Sequence, residues 1–345
     1  MLHLARRLDS AGGRDPRRAG LRRATLLFIG AALLLAMPAC RERDGAKTLK
    51  LAHSLSTEHP VHKAITFLAR RVDELSDGTL RIDVYPGEQL GSEREAIELV
   101  QLGILAMTKT STGPMEGFVP TMKVYGLPYL FRDDEHMWKV LEGPIGKRLL
   151  AAGTSKGLKG LCYYDAGARS FYTTHRPIHS PADLAGLKIR VQQSEMSRRM
   201  IEAMGGAPTP IDWGELYTSL QQGVVDGAEN NPPSFYNSRH YETSKYYSLD
   251  EHLRVPDMLV ISPTVWNDLS PKQQAILQQA VDESVQFQRR LWAETEAADL
   301  KAVQEAGVEI IRPDKQPFVD AVQLLWQEFS GTEVGQIAEE IRRVE

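Results

Sequence analysis

Between residues 48 and 311, short apolar runs of strand length alternate with longer stretches whose apolar positions recur at helical spacing, the pattern of an α/β chain. Thr48–Ala52 and Leu80–Tyr85 read as strands, with an amphipathic helix over Pro60–Ser76 between them and a turn at Pro86-Gly87 after them. Ser92 and Glu95 form a capping box that starts a helix running to about Leu102. Ile104–Thr110 is the next strand, and Trp138–Ala152 the next helix. Gly157–Tyr164, Leu187–Val191 and a stretch from Tyr246 to Ile261 that crosses Pro256 add further strand character. Asp212 caps a helix over Trp213–Gln222, and Gly223 stops it.

The strongest helical signal is Pro271–Ala306, with Ser270 as cap, Pro271 in the first position and Gly307 beyond the end. At ~1.5 Å per residue it predicts a rod of roughly 54 Å, longer than a small domain is wide. Its apolar positions, among them Ile276, Val281, Val285, Leu291, Leu300 and Val303, drift off a heptad. A helix spanning two lobes therefore fits better than a coiled coil. A chain of 345 residues has room for two lobes of ordinary domain size.

The first forty residues break this pattern. They carry Arg6, Arg7, Arg14, Arg17, Arg18, Arg22 and Arg23 against Asp9 and Asp15, then an uncharged apolar run from Leu26 to Met37. A basic stretch, about a dozen apolar residues and a small-residue exit form a secretory signal over residues 1–40. The run is shorter than the ~20 residues of a spanning helix, which disfavours an uncleaved anchor. Cys40 stands where lipoproteins carry a lipidated cysteine, although Met37-Pro38-Ala39 departs from the usual small-residue lipobox, so it is a candidate lipidation site. The other cysteine, Cys162, sits in the apolar run Leu161–Tyr164 and reads as a buried hydrophobe, leaving no pair to bridge.

Without its first forty residues the chain keeps 34 basic and 43 acidic residues, a balance of about −9. That charge argues against nucleic acid as a partner. It would also repel a free anion, so any acid that binds needs a local cationic anchor. No HExxH, GxSxG, phosphate-loop or CxxC pattern appears, and no cofactor is expected. His53, His59 and His62 cluster, but their spacing matches no zinc pattern and no cysteine supports them, so no metal is expected. His53 reads as solvated or ligand-facing, and His59 and His62 as residues of a helix entrance.

Two arginines stand out. Arg169 follows a predicted buried strand in Gly167-Ala168-Arg169, and Arg190 ends another in Gly186-Leu187-Lys188-Ile189-Arg190-Val191. Ligands of open α/β sheets lie beyond the carboxyl ends of strands, and a guanidinium offers a planar fork to a carboxylate. Taken singly, either is as readily a surface charge. Together with Gln89-Leu90-Gly91-Ser92-Glu93-Arg94, Pro208-Thr209-Pro210, Glu215-Leu216-Tyr217 and Asp226-Gly227-Ala228-Glu229-Asn230-Asn231, they resemble the extracytoplasmic solute-binding proteins of tripartite ATP-independent periplasmic (TRAP) transporters, the DctP family. The resemblance runs from about Leu49 to Ile311.

It implies a two-lobed periplasmic binding protein fold with a hinge and a long helix spanning both lobes. Lobe I would comprise 47–167 plus roughly 256–295, and lobe II 168–255 plus roughly 296–345. It implies that Arg190 makes the main salt bridge to a ligand carboxylate, that Arg169 assists and that the Asn230 amide bridges carboxylate and hydroxyl groups. Trp213, in the first turn of its helix, is a candidate stacking wall for a sugar ring. Glu93 could accept hydroxyls from a helix start, and Gln193 and Asn231 are further candidates near the same cleft. Glu229–Tyr236 and Arg169–Tyr172 look like the branch that takes hexuronates such as glucuronate and galacturonate. The implied partners are that small acid and a TRAP membrane permease, for a periplasmic monomer. The same fold holding a C4-dicarboxylate, a secreted uronate-modifying enzyme built on Glu93 and His53, and a sensing role through a receptor are the competing expectations.

Overall fold

The computed structural model describes residues 46–345, so the expected signal segment and Cys40 lie outside the described residues. Eleven strands form two sheets among the described residues. They are β1 (Lys47–Ala52), β2 (Leu80–Tyr85), β3 (Met107–Ser111), β4 (Lys159–Tyr164), β5 (Arg169–Thr173) and β6 (Lys188–Val191). There follow β7 (Ala207–Pro210), β8 (Gly227–Asn230), β9 (Tyr246–Leu253), β10 (Asp257–Ile261) and β11 (Glu309–Ile311). The first sheet runs β2-β1-β3-β10-β4 and the second β11-β9-β5-β8-β6-β7. In each, one strand arriving from the other half runs antiparallel to its neighbours: β10 against β3 and β4, and β5 against β8 and β9.

The strand-rich stretch from Tyr246 to Ile261 forms two strands in different sheets, divided before Pro256, which has no N–H for a ladder. The chain passes from the first sheet to the second through residues 165–168 and returns through 254–256. Gly167 in the first crossing has φ +56°, and a Cβ there would stand 2.6 Å from the Glu296 carboxylate and 3.1 Å from the Trp292 ring, so glycine is favoured.

The helices needed below are α1 (Pro60–Leu75), α2 (Glu93–Gln101), α3 (Asp134–Glu142), α4 (Pro144–Ala152), α5 (Glu195–Ala203), α6 (Trp213–Gln221), α7 (Pro232–Asn237), α8 (Pro271–Glu305) and α9 (Glu333–Arg342). The helix expected over Trp138–Ala152 is broken into α3 and α4 at Gly143-Pro144, since Pro144 cannot continue the first. The capping box of α2 is present, with Ser92 and Glu95 satisfying each other's backbone N–H groups. Helix α8 has 35 residues, is capped by Ser270 and Gln273, and packs on α1 and β4 of the first half and on α7 of the second. No helix among the described residues is long and apolar enough to cross a membrane.

One core sits between the first sheet, α1 and α8, around Leu51, Ile65, Leu68, Leu259 and Leu277. Another, around Tyr172, Leu216, Phe235, Tyr247 and Val303, fixes the second sheet to the far end of α8. Each such fully buried side chain contributes about 1.5–3 kcal/mol, enough to hold both ends of the helix. The last helix, α9, packs on α4 and on Pro120–Gly126, with Arg148 to Glu340 at 2.6 Å and His136 Nε2 against the Ile341 carbonyl at 3.0 Å. The C-terminus therefore returns to elements near the first sheet, whereas the boundary drawn from the sequence put all of 296–345 with the second.

Candidate ligand cleft

The carboxyl ends of β3, β6 and β8 converge on a cleft of about 420 Å³, its open mouth included, lined from both halves of the molecule. From the first half come Ser54, Leu55, His59, Glu93, Lys109 and Asp257, and from the second Arg169, Arg190, Gln192, Trp213 and Asn230. The long helix closes the back with Trp292.

Arg190 is 3% exposed. Its Nε donates to the Ile211 carbonyl at 2.8 Å and its guanidinium lies 5.5 Å from the centre of the Trp213 ring. Its Nη1 is buried without a hydrogen-bond partner among the described residues, none of whose carboxylates forms an ion pair with it. Burial presses the pKa of this guanidinium below the ordinary arginine value. It is a desolvated cation awaiting an acceptor.

Arg169 is differently placed. Its Nε and Nη2 fork onto the Glu229 carboxylate, Nη2 also reaches the Glu229 carbonyl at 2.8 Å, and Nη1 donates to Asn230 Oδ1 at 2.9 Å. Behind Glu229 stand His252, 3.6 Å from its carboxylate, and Asp250, which takes the other ring nitrogen of His252 at 2.8 Å. Burial works to raise the Glu229 pKa, but Arg169 and His252 overcome it and hold the group near 2. Burial likewise opposes charge on His252, yet Asp250 and Glu229 lift it to about 9. The chain Asp250–His252–Glu229–Arg169 alternates in sign and is neutral, so Arg169 is held rigidly while one Nη1 hydrogen remains free.

Asn230 uses Oδ1 for Arg169 and for the Asn231 N–H, which leaves its amide NH₂ for the cleft. Asn231 lines the cleft, but its side chain caps α7 through Ser234 N and donates to the Ala166 carbonyl. Both its functions are occupied. Glu93, at the start of α2, accepts from Ser111 N at 3.1 Å and lines the cleft as expected of a helix-start carboxylate. Trp213 forms part of the wall in the first turn of α6.

Two candidates are displaced. His53 does not line the cleft: its Nδ1 accepts the Leu55 N–H at 3.1 Å and its Nε2 meets His62 Nδ1 at 3.0 Å, with burial holding the ring neutral at a pKa of about 3. The histidine at the cleft is His59, which caps α1 and faces Ser234 Oγ at 3.2 Å. Gln193 is exposed and reaches Asp212 at 3.4 Å, whereas Gln192 enters the cleft. Strand alternation explains this: Arg190 points in, Val191 out and Gln192 in. Lys109, Asp257, Ser234 and Trp292 complete the lining and were not anticipated. Among the described residues no group of three or more His, Cys, Asp or Glu could hold a metal.

Two α/β halves that share a polar cleft, tied by one long helix and holding an unpaired guanidinium, define a two-lobed solute-binding protein. The model of the bacterial extracellular solute-binding protein family 7 (DctP) matches residues 51–332, and the chain belongs to that family. Its fold is shared with TRAP periplasmic solute-binding proteins of known structure. One from a Bradyrhizobium species, in complex with D-galacturonate, is 43% identical with a TM-score of 0.83, covering 86% of this chain and 99% of that one. One from Xanthobacter autotrophicus with bound β-D-galacturonate is 41% identical with a TM-score of 0.83, covering 86% and 100%. A third, from Chromohalobacter salexigens with bound D-glucuronate, is 35% identical with a TM-score of 0.84, covering 86% and 100%.

Proposed function

We propose that this protein captures a hexuronate outside the cytoplasm and delivers it to a TRAP membrane permease, without chemistry on the ligand. The observation that carries this reading is the buried Nη1 of Arg190, a charged donor without an acceptor at the floor of a cleft. A carboxylate satisfies it in a bidentate pair. The free hydrogen of Arg169 and the amide of Asn230 then reach the same carboxylate or the adjacent hydroxyl, and Trp213 flanks the ring. The galacturonate and glucuronate held by the structural relatives support the ligand class.

The two halves are read as lobes that close on the acid, the first built on residues 47–167 and 256–295 and the second on 168–255 and 296 onward, with α9 returning to the first. Ligand contacts from both lobes favour the closed form. Residues 1–40 are read as the export signal to the periplasm, with Cys40 as a lipidation candidate, and the working form as a monomer. A dicarboxylate is less well served, because Arg169, its second anchor, is already forked onto Glu229. The enzyme reading loses its acid–base pair, since His53 is turned away from the cleft.

Calorimetric titration of the purified protein with D-galacturonate, D-glucuronate, 2-oxo acids and sialic acid tests this, with Arg190→Ala beside it. Saturable uronate binding that disappears in Arg190→Ala, with the sugar recovered unchanged, is the expected result. Conversion of the uronate, or uronate binding untouched by Arg190→Ala, refutes it.

A further inference from the structure

The first-sheet wall of the cleft carries an ion cluster of its own. Lys109 on β3 pairs with Leu259, and Asp257 on β10 pairs with Ser111, so Lys109 and Asp257 are diagonal neighbours on one face of the sheet. Lys109 Nζ lies 2.9 Å from Asp257 Oδ2 and 3.5 Å from Glu93 Oε1. Lys109 and Asp257 are 3% and 6% exposed, yet both line the cleft. Burial opposes the ammonium's charge, but the two carboxylates more than offset it and raise its pKa.

Such a cluster in a core position is costly, and apolar residues of like volume would usually serve stability as well. Its place in the cleft points to a ligand. Two carboxylates take two of the three ammonium hydrogens, and the third is left for the cleft. The charges balance as follows. Arg169 and Lys109 are answered by Glu229, Asp257 and Glu93, and Arg190 brings the set to neutrality while the cleft is empty. One bound carboxylate gives a single excess negative charge. A second carboxylate would sit beside Asp257 and Glu93 and find no free cation.

We propose that Lys109, held between Asp257 and Glu93, determines specificity: its third N–H donates to a hydroxyl of the bound acid, while its two carboxylate partners accept from hydroxyls and repel a second anionic group. The cleft thus takes singly charged polyhydroxy acids and rejects dicarboxylates. This rests on the reading that Arg190 holds the one carboxylate of the ligand.

The test is calorimetric titration of wild type, Lys109→Met, Glu93→Gln and Arg190→Ala with D-galacturonate, D-glucarate and succinate, each protein checked by its thermal melt. Wild type is expected to prefer galacturonate over both diacids by roughly a hundredfold or more, the scale of a like-charge contact at short range. Glu93→Gln should narrow that preference by roughly tenfold, and Lys109→Met should weaken galacturonate by a similar factor. Lys109→Met strands Asp257 and can impair folding; Glu93→Gln keeps the Lys109–Asp257 pair and carries the test alone if needed. Wild type that binds either diacid as tightly as galacturonate overturns the proposal, as does a preference unchanged in Glu93→Gln. A shift of preference in Glu93→Gln together with full affinity in Arg190→Ala would sink the anchor reading and leave the role of Lys109 standing.

Discussion

Replacing Arg190 with methionine should separate binding from stability, because the two depend on opposite properties of the guanidinium. In the free protein the buried cation has no carboxylate partner, so its desolvation is not offset. Exchange of a buried ion for an apolar side chain of similar volume is neutral to stabilising by about 1–4 kcal/mol. Against this, Arg190→Met loses the bond from Nε to the Ile211 carbonyl, about 1 kcal/mol, and the contact with the Trp213 face, about 0.5–2 kcal/mol. The two sides nearly cancel, and the unfolding free energy of the ligand-free variant is expected within about 1 kcal/mol of wild type. In the complex the balance reverses. Truncating one member of a buried, hydrogen-bonded charge pair costs about 2–5 kcal/mol, or roughly thirty- to several-thousand-fold in Kd. Denaturant melts with and without galacturonate measure both. At a hundred times the wild-type Kd the ligand should add about 2.7 kcal/mol to wild type and less than about 1 kcal/mol to the variant. A ligand-free loss of about 3 kcal/mol or more would show that the guanidinium is already compensated, and the reasoning would fail.

Three further outcomes follow from the same geometry. His252 has its pKa raised from 6.5 to about 9, so its stabilising contribution is complete below pH 6.5 and fades as the pH rises through 9; chemical melts from pH 6 to 9.5 should show a loss that His252→Asn abolishes. Gly227→Ala should cost about 1–3 kcal/mol in thermal or chemical melts, because a Cβ there would lie 2.5 Å from the Tyr172 carbonyl on the neighbouring strand. Trp213→Ala should weaken uronate binding by roughly tenfold in calorimetry while leaving the pH dependence of stability unchanged, and an unaltered Kd would remove Trp213 from the ligand wall.

What the sequence revealed of the cleft depended on whether the signal was local. Arg169, Arg190 and Asn230 drew notice because they sit in short motifs at strand termini: Arg169 opens β5, Arg190 is next to last in β6 and Asn230 closes β8. Period-two alternation from Arg190 also selects Gln192, which lines the cleft itself, while Gln193 lines the adjoining pocket beside Arg190 and Trp213. His53 and His59 could not be distinguished by spacing, because each accepts a backbone N–H on Nδ1 and only the tertiary partner of Nε2, His62 for one and Ser234 for the other, separates them. Lys109 left a readable trace, a charge within the fully buried run Met107–Ser111. Its partner Asp257 lies on a strand that joins the first sheet only after the chain has passed through the second, a pairing that propensity does not encode. The long helix was legible almost to the residue because its cap, its proline and its closing glycine are all local. The break at Gly143-Pro144 was equally local and was passed over because the apolar period continues across it.

The two chain crossings, residues 165–168 and 254–256, have a mechanical consequence. Both run between antiparallel strands in adjoining sheets, and they form a narrow ribbon beside α8. Atoms close to a pivot travel little when the arms rotate, and atoms far from it travel most. Arg169 and Asp257 flank these crossings, one residue beyond each. If the halves close as proposed, these two residues sit beside the pivot and move little. Glu93 and Trp213, carried at the starts of α2 and α6 rather than at the crossings, would have the longer stroke in such a closure. On the proposed closure, an arriving acid would meet a nearly stationary charged floor before the walls that contact its hydroxyls swing in.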